Sequence, residues 1–424
     1  MANSVKFDSV EILNTTYIPR FVKHESAPDR IISTSDMAGD SGEIIISDKY
    51  GAKRITLTGI LTAASESALE TAIDTFKELF SRPEKNLDIS WAGSTRRYVA
   101  TCRYHNFNRD HFHLSFVPWT AEFIVPSGIG KGTAETEDLE VSFTQTSSQY
   151  WGTFYGSVKT KPRITFYCTA DATDPKGFSI FNQDTGERIV ITRSAGFGAS
   201  KVFEIDSDKK QVTYDDEIVG FYGMFPSLIP GTDINNIHIE VGEIVDQSNE
   251  LDATSSIFTT IKNNWVTAQK FSVPYSDDTY QALGFFGGRA NATTNGLTLS
   301  VVSDNGGEPD LTDVIATVSF TAAEVVDRST NLPAWHKKAT AAAFSLDANT
   351  PYWLVFESTD AAGYYIQSSE TNLYKRGHIS LSTDAGSSWN DATNRDIGFR
   401  IFYGGKRDAS KTFKSQFHYY ISYL

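Results

Sequence analysis

Several short stretches of this sequence place reactive residue types close together, and each can be weighed as chemistry or as plain structure. Gly39-Asp40-Ser41-Gly42 has the form of a loop that presents a nucleophilic serine. Such a serine needs a histidine base and an aspartate to orient that base. Only His24 precedes it, and Glu43 stands where a further glycine is expected, so the stretch reads as a flexible loop. His105, Asp110, His111 and His113 cluster, and His111 and His113 share one face of a strand, which is workable metal geometry. No second ligand pair stands at the expected spacing, so solvated or interface histidines are expected and no metal site. Asp304, Asn305, Glu308 and Asp310 could offer oxygens to calcium, but not in the EF-hand pattern, and a polar turn is the plainer reading. Ser382-x-Asp384-x-Gly386-x-Ser388-Trp389 fits an Asp-box: Asp closes a hairpin turn, Gly takes the unusual backbone angle and Trp packs beneath. One copy means a hairpin. Lys131, among the glycines of Gly128–Thr133, is not followed by Ser or Thr in P-loop register. No catalytic residue, metal or cofactor is expected.

Sugar binding asks for an exposed aromatic face beside convergent polar groups. Trp335 in NLPAWHKK, and Tyr374 with Arg376 in NLYKRGH, are the candidates, because both stretches are polar and fall between expected strands. Packing is the competing reading for each. Trp353 lies inside an apolar run and is expected in the core.

These residues need a scaffold, and the composition says which kind. Of 424 residues, 13 % are aromatic, with 28 Phe and 19 Tyr, which favour half-buried pleated surfaces. The formal charge of −14 argues against holding nucleic acid by its phosphates. Cys102 and Cys168 are far apart and read as buried free thiols. MANSVKFDSVEIL lacks a basic-then-apolar export signal, and no apolar run nears the roughly 18 residues that would span a bilayer. Synthesis in a cytoplasm without membrane insertion is expected.

The expected fold class is mostly β. A first unit covers residues 1–128. Its one long helix has a capping box at Ser67 and Glu70, an inward stripe of Leu69, Ala72, Ile73, Phe76, Leu79 and Phe80, and a stop at Pro83. Strands are expected at Arg54–Leu61, Leu87–Trp91, Tyr98–Tyr104, Phe112–Val117 and Ala121–Val125. The polar stretch from about 23 to 42 is too long for a turn and reads as an arm. Pro126–Thr133, rich in glycine, reads as a linker. Residues 129–250 form a second unit of short strands, a sandwich by their spacing. After a polar bridge, 257–403 form a third all-strand unit. Residues 404–424 are set apart as a tail that could dock on another subunit.

The first unit resembles the N-terminal domain of distal tail proteins of long-tailed, siphovirus-type bacteriophages. The residues that carry this are KRITLTGILTA, the helix ending IDTFKELFSRPEKNLDI, and RRYVATCR. The second unit adds KPRITFYC, NQDTGERIVI and the turn Phe225-Pro226-Ser227-Leu228-Ile229-Pro230-Gly231, which looks like the family's FPxLxPG turn between a QVTY strand and an NxIxI strand. Physically, Pro226 and Pro230 fix φ, Gly231 permits a tight turn, and Phe225 and Leu228 tuck into a sandwich edge. The resemblance covers roughly the first 245 residues. It implies a hexameric ring at the virion's tail tip, a non-enzymatic hub that joins the tail tube protein to tip or fibre proteins. It also implies a galectin-like second unit, and an arm, for which 23–42 is the candidate, packed on the neighbouring subunit. The chain departs from compact members by continuing past 250, where AQKFSV, LSVVSDNGGEPD, FSLDANTPYWLVF and IGFRIFYGG resemble a jelly-roll-like carbohydrate-binding module. Adhesion to a host surface glycan is the implied role. The rival readings are a glycan-binding surface protein unrelated to phage and a glycan hydrolase.

Overall fold

The computed structural model describes residues 3–424 except 25, 37–42, 92, 110–113, 139, 145, 152, 233, 251–256 and 372. The fold is mostly β, with antiparallel sheets and a single α-helix among the described residues. In the first unit one sheet runs in the order Val10–Glu11, Ser4–Phe7, Lys85–Trp91, Ser94–Phe107, Phe116–Val125, Lys53–Thr62 and Pro19–Lys23. Lys53–Thr62 buries every second residue, the period-two pattern of a sheet with one covered face. The helix Glu66–Phe80 covers that face through Leu69, Ile73, Phe76, Leu79 and Phe80. Its cap is Ser65, not Ser67: the Ala68 N–H donates to the Ser65 hydroxyl at 3.2 Å. Ser65 is an equally good cap that starts the helix earlier, and Glu70 instead pairs with Arg109. Phe116–Val125 is one strand where two were expected, and residues 112 and 113 of the expected first one lie outside the described residues.

The expected linker is partly sheet. Gly130–Lys131 pairs with Arg97 and with Ser422–Tyr423. A side chain at Gly130 would meet the Tyr98 ring at 2.5 Å, so only glycine lets the strand lie there.

The second unit is a sandwich. One sheet runs Thr136–Glu137, Phe413–Tyr419, Arg163–Cys168, Val202–Asp206, Gln211–Tyr214 and Glu217–Ile218; the other runs Thr146–Trp151, Asn235–Val241, Gly177–Asn182, Glu187–Thr192 and Tyr222–Gly223. Between them Phe166 stacks on Phe178 with centroids 3.8 Å apart. Residues 404–424 are therefore not a separate tail. Phe413–Tyr419 pairs along its length with Arg163–Cys168, and Phe413, Phe417 and Tyr419 are buried in this core. No sequence window could show this, because the partner strand lies some 250 residues away.

The third unit is a second sandwich, inserted into the first. Its sheets run Ile244–Asn249, Phe399–Tyr403, Asp277–Arg289, Tyr364–Ser369, Phe258–Ile261 and, opposite, Glu308–Phe320, Leu297–Asn305, Pro351–Glu357, Val266–Ser272, Ile379–Ser382, Asn390–Ala392. Its first strand, Ile244–Asn249, pairs with Phe399–Tyr403, so the chain passes into this unit near residue 243 and not at 250–257. Both crossings are tight turns in the left-handed region: Gly242 and Glu243 going out, Gly404 and Gly405 coming back, with the Glu243 N–H donating to the Gly405 carbonyl at 2.8 Å. Val190 and Tyr222 of the second unit pack into the third unit's core.

Candidate functional site

The proline-glycine turn is built into the second sandwich. Leu228 is fully buried, and its N–H and carbonyl both pair with Thr160 at 2.9 Å. Gly231 pairs with Phe154 in the same two-way fashion. Ser227 donates its N–H and hydroxyl to Glu187, at 2.7 and 2.5 Å, and Asn235 accepts from the Ile229 N–H at 2.8 Å. Pro226 is buried and Phe225 packs on Phe221. Every one of these contacts holds the fold, and none leaves a group turned out for a ligand.

Of the stretch expected as an arm, 23–42, part lies in a two-stranded ribbon whose second strand falls beyond that bound, and residues 25 and 37–42 lie outside the described residues. Arg30–Asp36 pairs with Glu43–Tyr50 as a two-stranded sheet of its own, and all seven residues of its first strand are exposed. Ile31, Ile32, Ile44, Ile45 and Ile46 all stand in solvent, Ile45 at 60 % and Ile46 at 67 % exposure. Gly39, Asp40, Ser41 and Gly42, the nucleophile-like loop, lie outside the described residues, as do Asp110, His111 and His113.

The sugar-binding candidates do not converge. Tyr374 is a core residue: it packs on Phe399, and its hydroxyl donates to the Gln247 side chain at 2.7 Å. Burial raises its pKa. Its neighbour Arg376 is exposed. Trp335 is not in a loop but in the strand Ala334–Leu346 and is half-buried. The Arg400 guanidinium sits 3.9 Å over its ring and Phe286 packs 5.3 Å away. Arg400 is itself held by Glu250 at 2.8 and 2.6 Å. The strand buries His336, Thr340, Phe344 and Leu346 without a clean alternation, so the sequence offered no period-two pattern to read.

The other constellations resolve as structure. Asp304 takes hydrogen bonds from Lys270 and from the Trp353 indole at 2.8 and 2.7 Å. Burial works to raise its pKa, yet these donors prevail and hold it below the usual carboxylate value. Among the described residues no group of three or more His, Cys, Asp or Glu is placed to hold a metal ion. The Asp-box is a hairpin: Ile379–Ser382 pairs with Asn390–Ala392, Asp384 accepts from Ser388 and Ser382, and Gly386 has φ +86°. Cys102 and Cys168 are free thiols. Trp353 is fully buried.

Several grooves remain, of which three bear on the candidates above. One of about 380 Å³ lies between the first and second units, but its cations are matched to carboxylates: Lys131 with Asp208 at 2.6 Å, Arg163 with Glu135 at 2.7 Å, Lys209 with Asp206 at 2.8 Å. A second, about 290 Å³, carries Trp335, Glu240, Glu243 and Arg407 at the junction of the second and third units. A third, about 250 Å³, opens at one end of the third sandwich beside Trp265. Sequence reasoning passed over Trp265, although KNNWVT places it directly after an Asn-Asn turn between two strand runs.

No family model and no curated protein matches the chain. Among solved structures it is similar to the SPP1 Dit (gp 19.1) protein, described as a paradigm of the hub adsorption apparatus in phages infecting Gram-positive bacteria: 14 % identity and TM-score 0.43, covering 57 % of this chain and 95 % of that one. It is also similar to chains of the phage P2 baseplate in its activated conformation, with Ca (9 % identity, TM-score 0.30) and with Sr (9 %, 0.28), each covering 57 % of this chain and 98 % of the other.

Proposed function

We propose that this chain is a non-enzymatic hub at the tip of a long-tailed phage tail, with six copies in a ring that joins the tail tube protein to tip or fibre proteins. Its inserted third unit adheres to a glycan on the host surface. The observation that carries the ring is the isoleucine-bearing hairpin. Ile44, Ile45 and Ile46 are consecutive, so their side chains fall on both faces of the ribbon. A bare two-stranded ribbon is marginal in water, and exposed apolar patches mark interaction sites. A second copy of the chain would cover it, at the position where the family resemblance expects an arm.

The test is a clean excision. The Gly51 N–H donates to the Asp29 carbonyl at 2.7 Å, so joining Asp29 to Gly51 removes residues 30–50 without straining the sheet. Light scattering across concentrations should show assembly of the full chain and a monomer for the excised one, with unchanged circular dichroism apart from the lost ribbon. A full chain that stays monomeric at high micromolar concentration, or an excised chain that assembles equally well, overturns the ring.

A further inference from the structure

One outer face of the third sandwich carries an arginine stacked on aromatic rings and matched to no carboxylate. We propose that this guanidinium, of Arg328, binds an anionic group of the host glycan, a carboxylate or a phosphate. The inference rests on the adhesion reading above and names the class of its ligand.

Arg328 is held by rings and by backbone. Its guanidinium lies 3.5 Å over the Phe258 ring and 5.0 Å over that of Tyr365. A side chain at Gly288 would meet the Arg328 stem at 2.5 Å, so the stem runs where glycine leaves room. The Arg328 N–H donates to the Arg289 carbonyl at 3.1 Å, and the Arg289 N–H donates to the Val326 carbonyl at 2.9 Å. Tyr364 and Ile366 point into the core, so Tyr365 between them points outward, with its cross-strand partner Gly288 on the same face.

That face also shows what such a stack takes when it is paired. Phe399 and Ile401 are core, so Arg400 between them points outward, over Trp335. Both oxygens of Glu250 close its fork. Lys270, Arg289, Lys338 and Arg395 of this unit face carboxylates as well. Arg328 faces none, and its guanidinium makes no hydrogen bond among the described residues. Asp327, beside it in the chain, is engaged: it accepts from the Ser329 N–H and hydroxyl, each at 2.8 Å, and faces Arg289 at 3.6 Å. Lys262, which follows the strand Phe258–Ile261, lies 4.7 Å over Trp265 and likewise faces no carboxylate among the described residues. With 52 acidic residues against 38 basic ones, the chain does not lack acids to pair with them. Aromatic faces attract the charge of a guanidinium but leave its N–H fork without acceptors. The fork is planar and matches the oxygens of a carboxylate or phosphate, and stacking has already restricted it, so little entropy is lost on binding.

The experiment uses the full chain. Polygalacturonate, poly(glycerol phosphate), dextran and host envelope polysaccharide are titrated by calorimetry at low and at physiological salt. The envelope polysaccharide and at least one of the two polyanions should bind, more weakly as salt rises, and dextran should not. Which polyanion binds tells carboxylate from phosphate. Arg328→Gln should weaken this binding at least tenfold, the loss of charge-assisted hydrogen bonds, with an unchanged circular dichroism spectrum. Arg328→Lys keeps the charge without the fork and should recover part of it. Arg376→Gln, at an exposed arginine elsewhere in the unit, should change nothing. Binding that survives Arg328→Gln, or that is lost in Arg376→Gln instead, overturns this placement but leaves adhesion standing. Binding of dextran in place of both polyanions, or of envelope polysaccharide with no dependence on salt, overturns the anionic class. A full chain that binds none of the four overturns the adhesion reading, and this site with it.

Discussion

At the scale of single residues, the lesson is in three aromatics. The sequence placed Trp353 in the core because it sits within an apolar run, and it is there. It misjudged Tyr374 and Trp335 because polar neighbours in sequence do not reveal neighbours in space. Tyr374 is enclosed by Gln247 and Phe399, and Trp335 by Arg400, all distant in the chain. Trp335→Ala should therefore act on stability, by about 2 kcal/mol for a half-buried ring that also holds a cation, and chemical denaturation would read it. The Asp-box hairpin was legible because its contacts are local. Asp384 is held at about 2, chiefly by the hydroxyls of Ser388 and Ser382, against an ordinary value of 3.8. A carboxylate so depressed stabilises the folded state above its unfolded value, and the contribution fades as pH falls through about 2. Asp384→Asn should lower the melting temperature at neutral pH, and the gap from the parent should close as the buffer is acidified from 4 toward 2. A gap that stays constant across that range would remove the carboxylate's role.

Elements were legible where periodicity was strong. Lys53–Thr62 alternates cleanly and was read as a strand, and the helix stripe repeats at 3.6, so its inward face was read correctly. The register of the helix cap was not, because Ser65 and Ser67 offer the same chemistry two residues apart. The largest miss was Phe413–Tyr419, whose aromatic letters were visible but whose partners were not. It sits inside a sheet, with Thr136–Glu137 and Val141–Phe143 on one side and Arg163–Cys168 on the other. Phe417→Ala, at a fully buried position, should cost about 3–5 kcal/mol. Truncation before Phe413 removes that side chain together with Phe413 and Tyr419, which exceeds the margin of an ordinary domain. The truncated chain should lose near-ultraviolet circular dichroism from the second unit. A truncated chain with a native spectrum would mean that the strand is dispensable.

For the molecule as a whole, the three-part order of the sequence is a nested one. The third unit interrupts the second, and its two connections run side by side at Glu243 and Gly405. Excising 244–403 and bridging Glu243 to Gly404 should leave a folded two-unit protein. Val190 and Tyr222 would then lose the core they now pack against, at a modest loss of stability. A fragment starting at Ile244 should be more stable than one starting at residue 257, because it keeps the edge strand Ile244–Asn249. Nesting also imposes an order in time. A chain leaves the ribosome from its N-terminus at about 5–20 residues per second, and domains fold as units. The inserted sandwich has all its strands once Tyr403 has emerged, whereas the unit that encloses it must wait for Phe413–Tyr419. Until then the second unit has a gap in its sheet, open to any passing strand. The host of the insertion is thus finished after its guest, and the guest's length sets how long that gap stands unprotected during synthesis.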